Sequence, residues 1–279
     1  MIKPMLCQTA DKAFDSPDYI WEGKYDGARI IAYVNGTERK LQGRSGAIKT
    51  TLFPELDVRT KVSAILDGEV ISGNSFNDLQ HRVNRQNGIA TAMKAYPAKY
   101  VVFDVLESGG INVRSSPLIK RKEILQNLLI ETDTVSLAPY TERGVALFQV
   151  IKERQLEGVI GKRKQGAYLE DKREWLKVKT WQEGTFLVVG YTKGTGWRAT
   201  TFGALVLSDT KGRYVGSVGT GFTDLVIANI YKEWLVPAPC PFPREPEPAT
   251  WVKPFAAKIQ YLEFTNDGML RFPSFKGVV

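Results

Sequence analysis

The sequence predicts an α+β fold in two domains, residues 1–182 and 183–279. Three observations carry this expectation. The 279 residues exceed what a single core usually holds. Up to Lys179 the chain mixes alternating apolar runs with longer helical patterns, and beyond it the pattern changes to mostly short strands. With 43% hydrophobic residues, the chain has enough apolar surface to bury more than one core.

Apolar alternation over Ala28–Val34, Ala64–Ser72 and Tyr100–Leu106 predicts strands. Helices are predicted over Phe76–Arg85, Ser116–Glu131 and Val145–Leu156. The second of these opens on Ser116-Pro117, a capping residue followed by proline at the first helical position, and sets Leu118, Leu125, Leu128 and Leu129 on one core-facing side. Past the boundary, strands are predicted over Thr185–Thr192, Gly203–Asp209 and Tyr214–Thr220, then a helix over Asp224–Leu235 and a last strand over Ile259–Asn266. A helix between strands three and four is the order of a small OB-type barrel, which commonly grips nucleic acid. Seven of the chain's 14 prolines fall from Pro237 to Pro254 and read as an extended, stiffened connector inside that domain.

The net charge of +8 suits a polyanionic partner, because side chains that neutralise phosphates release counterions and gain affinity. The excess is uneven: residues 1–182 carry 28 basic and 22 acidic side chains, residues 183–279 carry 10 and 8. Cys7 and Cys240 lie far apart with no other candidate ligand nearby, which argues against a zinc knuckle or a disulfide framework. The single histidine, His81, excludes paired-histidine catalysis and reads as a structural or surface residue on its helix. No signal-type apolar run follows Met1 and no stretch reaches transmembrane length, so a cytoplasmic protein with no membrane partner is expected.

The chemistry-bearing residues begin with Glu22-Gly23-Lys24-Tyr25-Asp26-Gly27-Ala28-Arg29. One lysine has a carboxylate two positions before it, an Asp-Gly turn after it and an arginine five positions on. Taken alone, this pattern also fits a strand entering a tight turn with solvated charges. Further segments then follow in a fixed order: Gly43-Arg44-Ser45-Gly46, Leu66-Asp67-Gly68-Glu69-Val70, Val101-Val102-Phe103-Asp104, Glu157-Gly158-Val159-Ile160-Gly161-Lys162 and Trp175-Leu176-Lys177-Val178-Lys179. The ordered set resembles the motifs of the covalent nucleotidyltransferases, the superfamily of ATP-dependent DNA ligases, RNA ligases and capping enzymes. Asp11–Asp15, Phe76–Arg82, Val218–Phe222 and Leu270–Gly277 narrow the resemblance to the ligase domain of bacterial ligase D and its stand-alone relatives, over nearly the whole chain.

That resemblance implies an antiparallel-sheet nucleotidyltransferase (adenylation) domain followed by an OB-fold β-barrel domain. It implies a DNA ligase that seals 5′-phosphate/3′-hydroxyl nicks in duplex DNA, using ATP and Mg²⁺, with Mn²⁺ as a substitute. Lys24 would attack the α-phosphorus of ATP to form lysyl-AMP. An unperturbed lysine, with a pKa of about 10.4, is almost wholly protonated at neutral pH. A bound divalent metal with Lys177 and Lys179 alongside would favour the neutral amine. Glu22 would face the adenine edge, Phe103 would stack on the ring, and Lys162 would complete the nucleotide contacts. Arg29 and Arg44 would hold ribose or phosphate, Arg44 also meeting the 5′-phosphate of the nick. Glu69 and Glu157 would bind the metal, since Mg²⁺ takes a few carboxylates plus water and phosphate oxygens. Lys193, Trp197 and Arg198 would grip DNA from the second domain. Relatives carry a basic tail past the last motif, whereas this sequence stops at Val279, which leaves Arg271 and Lys276 as candidates for that work. A monomer with no obligate protein partner is expected. The alternatives are an RNA ligase or capping-type enzyme, or a catalytically inactive nucleic-acid-binding protein that kept the fold.

Overall fold

The computed structural model describes residues 1–73, 76–83, 87–265 and 267–279, and it divides into two units, Met1–Lys179 and Thr180–Val279. In the first unit the strands begin with β1 (Leu6–Thr9), β2 (Tyr19–Gly23), β3 (Ala28–Asn35), β4 (Glu38–Gly43), β5 (Arg59–Thr60), β6 (Ala64–Ser72) and β7 (Ala98–Ser108). They continue with β8 (Ile111–Asn112), β9 (Leu129–Ile130), β10 (Val135–Leu137), β11 (Tyr140–Thr141), β12 (Gly158–Arg163) and β13 (Arg173–Lys179). The helices are α1 (Phe76–Val83), α2 (Ile89–Ala95), α3 (Leu118–Leu128) and α4 (Gly144–Glu153). The helix expected to reach Arg85 ends at Val83, with positions 84–86 outside the described residues.

Two sheets stack in this unit. One has the order β1-β13-β12-β2-β11; the other has the order β10-β7-β6-β3-β4, with β8 on β7. Period-two alternation explains why the second sheet is buried on both faces. Ile30, Ala32, Val34, Leu66 and Val102 share one core with Leu125 and Leu128 of α3. The intervening Ile31, Val101 and Phe103 pack with Tyr168 and Trp175. On the far side of the first sheet, Trp21, Val159 and Val178 cluster with Ile151 of α4. The sheets are mainly antiparallel, but β1 pairs with β13 and β10 with β7 in parallel. Parallel neighbours need long connections, so strand-by-strand reading does not show them.

Helix α3 is shorter than the predicted Ser116–Glu131. Pro117, with ψ 143°, holds the N-cap position without a side-chain cap bond. At the other end Leu129 and Ile130 leave the helix to pair with β5. The four leucines are buried as expected, but so are Arg121 and Lys122. Arg121 grips Asp104 with two hydrogen bonds of 2.8 and 2.9 Å and also donates to the carbonyls of Ser116 and Gly166, which locks α3 to β7 and to the segment after β12.

The second unit contains β14 (Gln182–Lys193), β15 (Phe202–Ser208), β16 (Tyr214–Val218), α5 (Asp224–Glu233), β17 (Thr250–Tyr261) and β18 (Ser274–Val278). Its sheet has the order β16-β15-β14-β17-β18 and is antiparallel throughout. Ile227 and Ile230 of α5 join its core, and Thr223 caps the helix by accepting from the Val226 amide. The two ends of the sheet meet through single bonds, Leu270 N–H to the Val215 carbonyl and Phe275 N–H to that of Thr220. Among the described residues no ladder joins β16 to β18, so the expected barrel is a curled sheet rather than a closed one.

Strand β17 starts at Thr250, well before the predicted Ile259, and ends at Tyr261, with Asn266 outside the described residues. Pro254 fits inside it because the register shifts opposite Val188 and Gly190, and a bulge is where a strand tolerates a residue without an N–H. The proline-rich stretch is a packed strap, not an extended connector. Phe242 lies against Tyr214 and Trp251, Glu247 accepts from Tyr214 and Ser217, and the Ala238 amide bonds to the Trp251 carbonyl.

Arg121→Met should lower unfolding free energy in urea by about 3 kcal/mol, because it leaves the Asp104 carboxylate buried and unpaired. Asp104→Leu added to Arg121→Met should recover part of that loss.

Candidate functional site

In the first unit, β2 delivers Glu22 and then Lys24 to one wall of a cavity of about 920 Å³. The Lys24 amide donates to the Gly158 carbonyl at 2.8 Å, so the end of β2 is tied to the start of β12. Glycine is required at two points around this turn. A Cβ on Gly27 would run into the Val70 carbonyl and Glu69, and Gly158, at φ 151°, leaves no room between its Cα and the Val178 carbonyl. Strand alternation brings Arg173, Trp175, Lys177 and Lys179 of β13 to the same cavity. Arg29, Arg44, Glu69, Phe103, Glu157 and Lys162 line it as well, so every first-domain candidate residue opens onto this one cavity.

The charges are paired in a definite pattern. Lys24 Nζ contacts Glu157 Oε2, and Lys179 Nζ lies 3.4 Å from the other oxygen of the same carboxylate. Burial draws the Lys179 ammonium below the usual lysine range, against the pull of Glu157. Glu22 is 2% exposed and is held by two buried lysines, Lys122 at Oε1 and Lys162 at Oε2, the latter at 2.7 Å. Burial opposes ionisation of Glu22, yet the two ammonium groups outweigh it and hold its carboxyl below the usual range. Burial pulls Lys162 down to about 8, with Glu22 opposing and Lys122 adding to the shift. The Lys162 ammonium also lies 4.2 Å from the ring centre of Phe103 and 4.1 Å from that of Trp175.

Arg29 is more constrained than the expected ribose or phosphate ligand. Its guanidinium forks onto the fully buried Asp67, with Nη2 2.6 Å from Oδ2, and it also donates to the Met5 carbonyl. Tyr168 Oη donates to the same Asp67 oxygen at 2.6 Å. The face of this guanidinium stacks over Phe103, so Phe103 borders both Arg29 and Lys162. Glu69 has no such fork. Burial pushes its carboxyl up to about 7, although Arg29 and Lys24 pull the other way.

These features give the cavity three chemistries. Phe103 and Trp175, edge to face at 5.8 Å, form an aromatic wall with Arg29 and Lys162 lying over both rings. Lys24, Lys177 and Lys179 offer cations to phosphates. Glu69 and Glu157 offer two carboxylates, which suits Mg²⁺ because it keeps water and phosphate oxygens in its shell. Among the described residues no cluster of three or more His, Cys, Asp or Glu side chains is arranged to hold a metal by protein ligands alone.

In the second unit, Lys193 is exposed and Trp197 is 71% exposed. Arg198 donates through Nη1 to the carbonyls of Gly203 and Gly219 and lies over the Trp197 ring, so part of its guanidinium is engaged in holding the loop. Sequence reading missed Lys122, Asp67, Tyr168 and Trp175 as parts of the site. Lys122 left one signal, since helical spacing puts Arg121 and Lys122 on the same side as Leu118 and Leu125. Asp67 shares a strand face with Glu69, and Trp175 shares one with Lys177.

A raised folded-state pKa on Glu69 means stability that is complete below about 4.5 and is lost as pH rises toward about 7, because the unfolded chain ionises first. Glu69→Gln should therefore flatten the melting temperature of the ligand-free protein across that window, measured by thermal denaturation at stepped pH.

The family model described as the ATP dependent DNA ligase domain matches residues 4–179, and that of the ATP dependent DNA ligase C terminal region matches residues 193–278. The SPbeta prophage-derived DNA ligase-like protein LigB of Bacillus subtilis is 33% identical over 198 residues, which is 69% of this chain and 72% of that protein. The multifunctional non-homologous end joining protein LigD of Mycolicibacterium smegmatis is 27% identical over 99% of this chain, and the match spans 38% of that longer protein. The crystal structure of the ligase domain of M. tuberculosis LigD aligns with a TM-score of 0.57 at 25% identity, covering 100% of this chain and 95% of that one. Matched by family models along both units, the chain belongs to the ATP-dependent DNA ligase family.

Proposed function

We propose that the protein seals nicks in duplex DNA that carry a 5′-phosphate and a 3′-hydroxyl, through a lysyl-AMP intermediate on Lys24. The observation that supports this most is the position of Lys24, on a carboxylate shared with Lys179 and in the same cavity as the Phe103 and Trp175 rings. A nucleotide bound in this cavity would bring its α-phosphate among Lys24, Lys177 and Lys179, which line it together. Lys24 Nζ forms the N–P bond and pyrophosphate leaves. The 5′-phosphate oxygen of the nick then displaces the lysine and takes AMP. Finally the 3′-hydroxyl attacks the phosphorus of the nick's 5′-phosphate, forming the phosphodiester as the bond to AMP breaks and AMP leaves. Lys177 and Lys179 steady charge on the transferring group throughout, and the chain's main contribution is to position the reactants.

Glu69 and Glu157 would hold Mg²⁺, with Mn²⁺ as a substitute, and the bound ion supplies positive charge to the phosphate oxygens. Arg44, exposed at the cavity mouth, would take the 5′-phosphate. The second unit would act as an OB-type domain touching DNA through Lys193 and Trp197. The protein would work as a cytoplasmic monomer in DNA repair, recombination or replication. No helix among the described residues is long and apolar enough to cross a membrane.

Intact mass after incubation with ATP and Mg²⁺ should show the gain of one AMP, absent in Lys24→Ala and absent with GTP or NAD⁺. The charged protein should then seal nicked duplex DNA faster than nicked duplex RNA; preference for RNA would turn the reading toward an RNA ligase, and no adduct together with intact nick binding would turn it toward an inactive binding protein. For the second unit, Lys193→Ala should lower the slope of log affinity against log salt for nicked DNA by about 1. Arg198→Ala should instead act on thermal stability, since its guanidinium holds two backbone carbonyls.

A further inference from the structure

Glu22 lines the cavity although it is 2% exposed, and each of its carboxylate oxygens is held by a different lysine. Lys162 lines the cavity and lies over both aromatic rings there. Lys122 is 5% exposed and is not part of the cavity wall. Its ammonium sits 5.2 Å from the ring centre of Tyr140, a residue directly opposite Glu22 in the β11–β2 ladder. Helix α3, which carries Lys122, is held by the Arg121–Asp104 fork and by two backbone bonds, from the Leu118 amide to the Gly166 carbonyl and from the Ile119 amide to that of Lys164, both 3.0 Å. Lys122 therefore reaches Glu22 from α3 and from outside the cavity wall, whereas Lys162 reaches it from β12 as part of that wall.

We propose that Lys122 is the positioning residue for the nucleobase: it grips Glu22 Oε1 from behind, so that the carboxylate stays oriented when a nucleotide enters and accepts a hydrogen bond from the exocyclic amine of the base. This rests on the reading of the cavity as an ATP site. A carboxylate held by one oxygen presents the other in a fixed direction, while one held only from the cavity side turns with its partner. The triad of Glu22, Lys122 and Lys162 carries one more cation than anions. Replacing Lys122 with an apolar residue of similar length leaves a paired Glu22 and Lys162, so the fold should tolerate the change.

The test compares the rate of AMP uptake by wild type, Lys122→Met and Lys122→Arg, with ATP and with purine riboside triphosphate, which lacks the 6-amino group. Wild type should prefer ATP by about tenfold or more in rate over KM, the scale of one hydrogen bond to a charged group. In Lys122→Met the KM for ATP should rise about tenfold, the maximal rate should stay within about twofold, and the preference should fall to near unity. Lys122→Arg should restore the preference. If Lys122→Met charges normally and keeps the wild-type preference, or if wild type does not distinguish the two nucleotides, the role of Lys122 is overturned while the ligase reading stands. If wild type takes up no AMP from ATP, the reading of the cavity itself fails and this inference with it. Should Lys122→Met fail to fold, Lys122→Gln carries the same comparison, judged by the same ratio.

Discussion

The first unit depends on how charge is paired where its two sheets meet. Ionised groups taken out of water are costly unless each is matched and hydrogen-bonded. Three sets meet that condition here: Arg29 on Asp67, Arg121 on Asp104, and Glu22 between Lys122 and Lys162. Arg29–Asp67 and Glu22–Lys162 lie across neighbouring strands of one ladder, whereas Arg121–Asp104 and Lys122–Glu22 tie α3 to β7 and β2, which no ladder does. Asp67 also takes the Tyr168 hydroxyl, which draws the segment before β13 against the second sheet. Asp104 holds α3 through Arg121, and α3 in turn delivers Lys122 to Glu22. Removing one member of either arginine pair would leave its partner uncompensated, whereas Glu22 keeps one lysine if the other is lost, so these pairs act more as constraints on geometry than as a reserve of stability.

The same pairing shapes the chemistry of the cavity. Arg29 and Glu22, each held by buried partners, line the cavity together with the rings of Phe103 and Trp175. Lys24, Glu157, Lys179 and Glu69 line the same cavity, with Lys24 and Lys179 sharing the Glu157 carboxylate. Glu157 is the point of exchange, since it contacts Lys24 and Lys179 and is also a candidate for holding a metal. A site for transfer chemistry needs this contrast between fixed groups that position a reactant and others that respond to it.

The second unit meets a different demand. Its sheet is antiparallel and curled, and its two ends meet through single backbone bonds. The proline-rich strap closes over β16 and β17 with aromatic and carboxylate contacts, which covers surface that a free linker would leave open. Arg198 holds two loop carbonyls while Trp197 remains exposed beside it. Adjacent residues in one short segment thus serve opposite ends, one the fold and the other the surface.

The sequence by itself determined the elements with strong periodicity and the set of residues that share the cavity. Strand β6 begins and ends where alternation placed it, the leucines of α3 are buried, and Lys24, Glu69, Glu157, Lys177 and Lys179, from motifs on or beside strands, line one cavity. What the spacing could not show was partnership. Strand β17 begins inside a run of prolines because a register shift admits Pro254, and β18 was hidden in a short segment rich in polar residues and glycine. Lys122 reads as one polar residue on a core helix until α3 is laid against β2, 100 positions away in sequence. Glu157 meets Lys24 across 133 positions, and Lys162 meets Glu22 across 140. Such contacts are decided by which strands pair and by how helices lie on them, since burial forces charges to find partners wherever the fold brings them rather than where the chain is near.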